Sequence, residues 1–588
     1  MTNEQIAKQL EQIALLLQVE DANTFRIRSY ERAAEAIRGL GEELSVLRHA
    51  EGGLEALPGI GEAIAQKIEE LLDTGELIYL QDLLAQYPEG FLELLRIPGL
   101  GPKRVALVYR ELGVGSVDAL EEACVREQVR ELKGMGAKSE AKLLDAIAKY
   151  WQGRERALLG DMLPRAEEIV GFLRGLDTVI AADYAGSTRR GRETIGDLDV
   201  LGSSEDPAAV CSAFAEAGIL AEVELAGDTK VSGYLPGGRQ VDLRVVEPES
   251  WGAALVYFTG SQQHNIRLRE RAQARGLHVN EYGVYHEPAE DEEALGEPIA
   301  GDTEESLYAA LELAWIPPEL REDRGEIAAA AEDELPELIE LPDIRCDLHM
   351  HTRYTDGRAS IEELAEAARA RGYTHIGITD HSASLYVADG IAAADVGRQR
   401  EEVDAVNARF EAEGTDFRVL LGHEVDILAD GALDADAEIL ALVDYAIGAV
   451  HQGMSPDADR MTARVTAALA SGHVDIFAHP TGRILLGRDA YGLHVGEVVV
   501  AAAEHDVALE INASPDRLDL SDVHARLAAD RGAKLCINTD AHALEHLEFM
   551  RLGVITARRG WVPPEAVLNT WPLPRLLEWL AARKSGRS

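Results

Sequence analysis

Cysteine is scarce. The 588 residues hold four (Cys124, Cys211, Cys346 and Cys536), scattered and without a CxxC pair. That excludes a disulfide-built scaffold, which concentrates cysteines in a short secreted chain. No apolar run approaches the ~20 residues that span a bilayer. The opening stretch MTNEQIAKQLEQIALLLQVED lacks a basic start, an apolar core and a cleavage site, so no signal peptide is expected. The expectation is a cytoplasmic protein with no membrane partner. Basic charge is outweighed as well: 57 Lys and Arg face 104 Asp and Glu, a formal net charge of -47. Nucleic-acid binders usually carry a basic footprint. Binding here must therefore use locally placed cations and be salt-sensitive.

With 46% hydrophobic and 27% charged residues the chain can bury ordinary globular cores. Its length suggests about four domains. Residues 1–150 read as short helices broken by glycine turns. LPGIGEAIAQKIEELL (57–72), IPGLGPKRVALVYREL (97–112) and LKGMGAKSEAKLLDAI (132–147) repeat one pattern: apolar-x-Gly-x-Gly, then an amphipathic helix with Lys or Arg on its polar face. The pairs Gly59/Gly61, Gly99/Gly101 and Gly134/Gly136 permit a tight turn that brings backbone N–H groups to a helix N-terminus, where the dipole suits a phosphate. One copy could be a plain helix end. Three copies, resembling the helix-hairpin-helix, point to a nucleic-acid backbone.

Residues 151–317 alternate helices and strands. In YAGSTRRGRETIGDLDVL (184–201), Asp197 and Asp199 stand two apart in an apolar strand, so both face one side. Neighbouring carboxylates repel unless a cation sits between them. Mg²⁺ accepts a few carboxylates plus phosphates and water. QVDLRVV (240–246) offers a third carboxylate, Asp242. The upstream Gly186–Ser187 turn and Arg190 suit a triphosphate. Nucleotidyl transfer is the reading, against a solvent-facing strand with alternating acids.

The stretch from 317 to 342, with EDELPELIELPD, reads as an acidic linker or solvated helix. From Asp343 onward apolar strands end in His, Asp, Glu or Asn, the pattern of a (β/α) barrel with its functional residues at strand C-termini. The ligand types are His349, His351, Asp356, His381, Glu424, His451, His479, Asp540 and His542. Six imidazoles and three carboxylates exceed one ion's needs. Without thiolates they suit two or three Zn²⁺, Mn²⁺ or Fe ions. Such a cluster activates water near neutral pH and clamps a phosphate. The other eleven histidines, including His375, His423, His473 and His505, are read as structural.

These motifs carry a resemblance. GS-x-RRG-x-E-x-x-GD-x-D, VDLR, YFTGSQQHNIRLR (257–269) and NEYGVY (280–285) resemble the family X DNA polymerases, the family of DNA polymerase beta. The back half resembles the PHP (polymerase and histidinol phosphatase) domain, with all nine motif positions filled. Together they resemble the bacterial and archaeal members of family X over nearly the whole chain. The resemblance implies six segments. They are a lyase-like helical domain (1–80), fingers with helix-hairpin-helix motifs (81–150), an α+β nucleotidyltransferase palm (151–250), a thumb (251–317), an acidic linker (318–342) and a distorted (β/α)7 PHP barrel (343–588).

It also implies roles. Asp197 and Asp199 would hold two Mg²⁺ or Mn²⁺ ions, and Asp242 the one that activates the primer 3′-hydroxyl. Ser187 and Arg190 would grip the triphosphate. Tyr257 and Phe258 would line the sugar pocket beside the Gly260 turn, Asn265 would reach the base, and Arg269 the template. Arg26 and Tyr30 in FRIRSYERAAEAI would hold a 5′-phosphate, and Lys67 stands where the family carries a Schiff-base lysine. Ala63 and Gln66 replace basic residues of that pocket, and Gln240 stands where a basic residue often precedes the third aspartate. The implied function is filling of short gaps during DNA repair, base excision repair included. It would use dNTPs on gapped or primed duplex, as a monomer, with a 3′-5′ exonuclease or phosphoesterase in the PHP domain. The rival reading is a small-molecule or DNA-end phosphoesterase tethered to DNA by a weakly active front half.

Overall fold

Helix Asn3–Val19 is apolar around most of its circumference, and Ile6, Ala7, Leu10, Ile13, Ala14, Leu16 and Leu17 are buried. It therefore packs on more than one side, against Thr24–Arg38 and against Ile78–Leu84 and Pro102–Leu112. One hydrophobic core runs from Ile6 to Ile147. The two segments expected at 1–80 and 81–150 thus share a core. The computed structural model describes all residues except 2, 21, 41, 50–52, 89, 98, 153–155, 288–295, 455–456 and 586–588. It divides into two units, Met1–Glu155 and Arg156–Ser588.

The three glycine motifs of the first unit adopt one geometry. Gly59, Gly99 and Gly134 have φ of 86°, 80° and 83°, the left-handed region that costs an L side chain about 1 kcal/mol. Gly61 and Gly101 cap the helices Glu62–Thr74 and Pro102–Leu112, and Gly136 immediately precedes Ala137–Gln152.

In the second unit a five-stranded sheet comes first: β1 (Ala181–Tyr184), β2 (Leu198–Ser203), β3 (Glu222–Ala226), β4 (Lys230–Tyr234) and β5 (Gln240–Val246). Their spatial order is β1-β2-β5-β4-β3, with β2 and β5 parallel and the other pairs antiparallel. Along β5, half-buried and buried residues alternate up to Arg244, the two-residue period of a strand. Helices Leu159–Arg174 and Pro207–Glu216 cover the sheet through Leu163, Ile169 and Phe214. Leu518 and Leu552, more than 300 residues further along, belong to the same core.

The next segment packs helices Trp251–Thr259, Gln262–Gln273 and Glu304–Ala310 around a hairpin, Leu277–Asn280 with Gly283–His286. Glu304 is buried. Its carboxylate accepts from Arg189 Nη1 and Nη2 at 2.7 and 3.0 Å and from Arg321 Nη1 at 2.7 Å. Arg321 is itself wholly buried, and its Nε donates to the Ile316 carbonyl at 2.9 Å.

The expected acidic linker is packed instead. Glu322, Glu326 and Ile339 are buried, and Glu326 takes His264 Nδ1 at 2.7 Å and the backbone N–H groups of Asp323 and Arg324. Composition suggested a solvated run because the arginines that neutralise it, Arg190 and Arg559 among them, lie far away in sequence.

The rest is built on short parallel strands: β6 (Cys346–Asp347), β7 (His375–Ile378), β8 (Arg418–Leu421), β9 (Glu424–Asp426), β10 (Ile447–Ala449), β11 (Ile476–Phe477), β12 (Ala508–Asn512) and β13 (Leu535–Asn538). Nearly every strand residue is buried, as expected for parallel strands enclosed by helices. β6-β7-β8 form one sheet and β9 to β13 a second. Bridges at His381–Glu424 and Met350–Ala541 join them, the latter linking the first strand's extension to the last. Counting β8 and β9 as one interrupted strand, this is the pairing of a closed seven-stranded ring.

Burial pushes the Glu304 carboxyl up, but Arg321 and Arg189 outweigh it and hold its pKa at about 2, below its ordinary 4.5. A depressed folded pKa stabilises fully above the unfolded value, and that contribution fades as pH falls toward 2. Glu304→Gln should cost about 3 kcal/mol at pH 7. In thermal unfolding, the gap between wild type and variant should narrow steadily from pH 5 to pH 3.

Candidate active sites

Asp199 on β2 and Asp242 on β5 stand directly opposite each other in the parallel register, and Asp197 lies just before β2. Burial, then the charges of Asp197 and Asp242, push the Asp199 carboxyl up to about 7. Two features hold this crowding. Asp242 Oδ1 accepts from the Ser232 hydroxyl and lies 3.2 Å from Lys230 Nζ, while its Oδ2 accepts from Gln240 Nε2 at 3.1 Å. Gly186 has φ 56°, and a Cβ there would lie 2.1 Å from Asp199 Oδ2. Only glycine lets that turn approach the carboxylates so closely. Lys230 and Ser232, on β4, were not singled out in the sequence. The missing basic residue at Gln240 is offset by Lys230, which only strand pairing brings near.

Ser187 lies in the helical turn Gly186–Arg189, and Arg190 follows it. Arg190 Nε donates to Glu322 Oε1 at 3.0 Å, and Nη1 to the Thr259 carbonyl. A Cβ on Gly260 would lie 3.2 Å from Arg190 Nη1, so the two glycine turns meet at this guanidinium. The rings of Tyr257 and Phe258 are 5.1 Å apart. Tyr257, Asn265 and Arg269 line one pocket with Asn280, and Asn265 Nδ2 donates to the Tyr257 carbonyl at 2.7 Å.

In the first unit, Arg26 Nη2 donates to the Tyr79 hydroxyl at 2.6 Å, and Lys67 Nζ lies 5.1 Å from the centre of the Tyr79 ring. Burial, then Tyr79, raises the Tyr30 phenol's pKa, while Arg26 acts to lower it. Tyr79 thus joins Arg26, Tyr30 and Lys67, a role with no local signal in its sequence.

The second site gathers the nine strand-end residues. Three groups each place their ligand atoms within 4.8 Å of one another: His351, Asp356, His381 and His542; His349, His351 and Asp540; His381, Glu424 and His451. The first shares His351 with the second and His381 with the third. His479 Nε2 joins through Glu424 Oε1 at 3.1 Å. His351 stacks on His381 and His542 with ring centres 4.2 and 4.3 Å apart. Burial, then His381 and His542, pull His351 down to about 3. Burial works against Glu424 ionising, but His381, His451 and His349 hold it well below the carboxylate range. His349 Nε2, His351 Nδ1, His381 Nδ1 and Glu424 Oε2 are buried without a hydrogen-bond partner. Convergent lone pairs left unpaired in a buried site fit divalent cations. His479 and Asp540 also hold left-handed backbone, at φ 29° and 54°, which surrounding contacts must enforce.

Behind these residues stand two carboxylates that sequence reasoning missed. Glu510 Oε1 accepts from His349 Nδ1 at 2.8 Å, and Glu510 also takes Asn538 Nδ2 at 2.9 Å and His479 N at 2.7 Å. Asp426 Oδ1 lies 2.6 Å from His451 Nδ1. Each contact fixes an imidazole tautomer and turns Nε2 toward the cluster.

Four family models match parts of the chain. The helix-hairpin-helix domain matches residues 1–77 and the SAM-like helix-hairpin-helix tandem residues 91–149. The DNA polymerase beta thumb matches residues 254–322, and the PHP domain residues 347–514. The chain is 40% identical to the DNA polymerase/3'-5' exonuclease PolX of Bacillus subtilis (strain 168), over 97% of each chain. It is 31% identical to a probable phosphatase of Edwardsiella ictaluri and 30% to the probable phosphatase YcdX of Escherichia coli. Each match covers 40% of this chain and 94% of the relative.

Glu510→Gln keeps the shape but turns the His349 acceptor neutral. Metal retained after dialysis, measured by elemental analysis, should fall, with affinity about 10–100-fold weaker. Far-UV circular dichroism should not change.

Proposed function

The chain belongs to the family X DNA polymerases that carry a PHP domain, and on that footing we propose how its residues divide polymerase and 3′-5′ exonuclease work. The observation that carries the reading is one chain in which an aspartate trio and a nine-ligand cluster are both complete.

At the polymerase site, Asp197, Asp199 and Asp242 would hold Mg²⁺ or Mn²⁺, Asp242 helping to activate the primer 3′-hydroxyl. At the exonuclease site, the nine histidines and carboxylates would hold two or three Zn²⁺, Mn²⁺ or Fe ions. Divalent cations supply Lewis acidity and charge neutralisation at both sites. The side chains do the positioning. Gly186 gives the turn its close approach, while Ser187 and Arg190 receive the triphosphate. Tyr257, Phe258 and Gly260 shape the sugar pocket, Asn265 meets the base, and Arg269 meets the template. The turns at Gly59/Gly61, Gly99/Gly101 and Gly134/Gly136 offer backbone amides to DNA phosphates. Arg26 and Tyr30 receive a 5′-phosphate, with Lys67 close enough to serve as a lyase amine. Gapped duplex and dNTPs are the substrates, gap filling in DNA repair is the role, and the chain acts as a monomer. Among the described residues no helix is long and apolar enough to cross a membrane.

A 5′-labelled primer at a one-nucleotide gap, with Mg²⁺ or Mn²⁺ and with or without dNTPs, tests the division. Asp242→Ala should abolish extension and leave shortening intact, and His351→Ala should do the reverse. Shortening with no extension in the wild type would favour the tethered phosphoesterase. That reading draws support from the phosphatases matched over 94% of their length. Arg26→Ala should weaken binding of a 5′-phosphorylated gap about five- to tenfold, the scale of a lost charge-assisted hydrogen bond. It should not affect binding of the unphosphorylated gap, as read by fluorescence anisotropy.

A further inference from the structure

Helix Met550–Arg559, in the back half of the chain, lies directly against the turn that carries Arg190. Gly191 has φ 64°, and a Cβ there would lie 2.2 Å from Ile555 Cγ2. One turn later, Arg559 Nη1 donates to the Arg190 carbonyl and, at 3.0 Å, to Glu322 Oε1. That same oxygen receives Arg190 Nε at 3.0 Å. Arg559 Nη2 donates to Asp522 Oδ2 at 2.8 Å, and Arg324 Nη1 meets the same oxygen at 2.9 Å. Arg192 lies 3.8 Å from Glu322 Oε2. The Arg559 and Glu322 side chains are only 2% and 5% exposed, so water screens little of this.

Charge and geometry both matter here. Alone, Glu322 would pair fully with Arg190 and cancel the cation that meets a nucleotide. Arg559 shares that carboxylate oxygen, and four guanidinium groups face two carboxylates, so the cluster stays positive overall. The donation to the Arg190 carbonyl also fixes the turn from the backbone side. We propose that Arg559 is a positioning residue of the polymerase nucleotide site. From the PHP segment it holds Arg190 in place, with its charge available to a triphosphate. This rests on the reading of Arg190 as a triphosphate ligand.

The test uses the full chain. Single-nucleotide extension at a gap is measured against dNTP concentration for wild type, Arg190→Ala and Arg559→Met, with 3′ shortening and thermal unfolding recorded on the same preparations. The expected result for Arg559→Met is a dNTP KM raised about tenfold with kcat within about twofold, the pattern of lost binding, and shortening unchanged. If Arg190→Ala raises KM and Arg559→Met does not, the inference is overturned and the nucleotide reading stands. If Arg190→Ala leaves KM unchanged, that reading fails and the inference falls with it. Should Arg559→Met not fold, Arg559→Lys decides. It keeps the cation but loses the fork that reaches Glu322, Asp522 and the carbonyl together. A KM raised about threefold at wild-type melting temperature supports the inference by the same criterion, and an unchanged KM overturns it.

Discussion

Burying a carboxylate costs several kcal/mol unless a cation meets it, and Glu304, Glu322 and Asp522 meet theirs on distant segments. Much of the second unit's arrangement follows from this. Glu304 fixes Arg189 beside the nucleotide turn and Arg321 at the end of the thumb segment. Glu322 ties that end to Arg190, and Arg483 of the barrel reaches Glu193 of the palm loop. A net charge of -47 therefore describes the whole chain poorly as a surface. Many of the arginines are committed to internal pairs.

The two sites treat crowded charge in different ways. In the palm, Lys230 and Ser232 already contact Asp242, so a cation entering there exchanges partners with the protein. In the barrel, His349 Nε2, His351 Nδ1, His381 Nδ1 and Glu424 Oε2 are buried without a hydrogen-bond partner, while Glu510 and Asp426 engage His349 Nδ1 and His451 Nδ1.

Local patterns were the legible part of the sequence. Positive φ at Gly59, Gly99 and Gly134 follows from Gly-x-Gly, because the constraint acts within a few residues. The closeness of Asp197 to Asp199 follows from their two-residue spacing, although Asp197 lies just outside the strand. The nine candidate ligands could be read because most of them cluster just after apolar strands. What depended on pairing was hidden. Lys230 and Ser232 reach Asp242 only through the β4–β5 register. Glu510 sits within a strand, where an acid gives no hint of the imidazole behind it. The segment 318–342 read as solvent-facing because its arginine partners are as far off as Arg559.

Leu518 and Leu552 lie in the palm core, yet they come from the segment that also makes the barrel. A chain ending before the barrel would leave the palm with an open apolar face, inviting aggregation or degradation rather than a smaller working polymerase. Removing the later segment would take away part of the polymerase core's own interior.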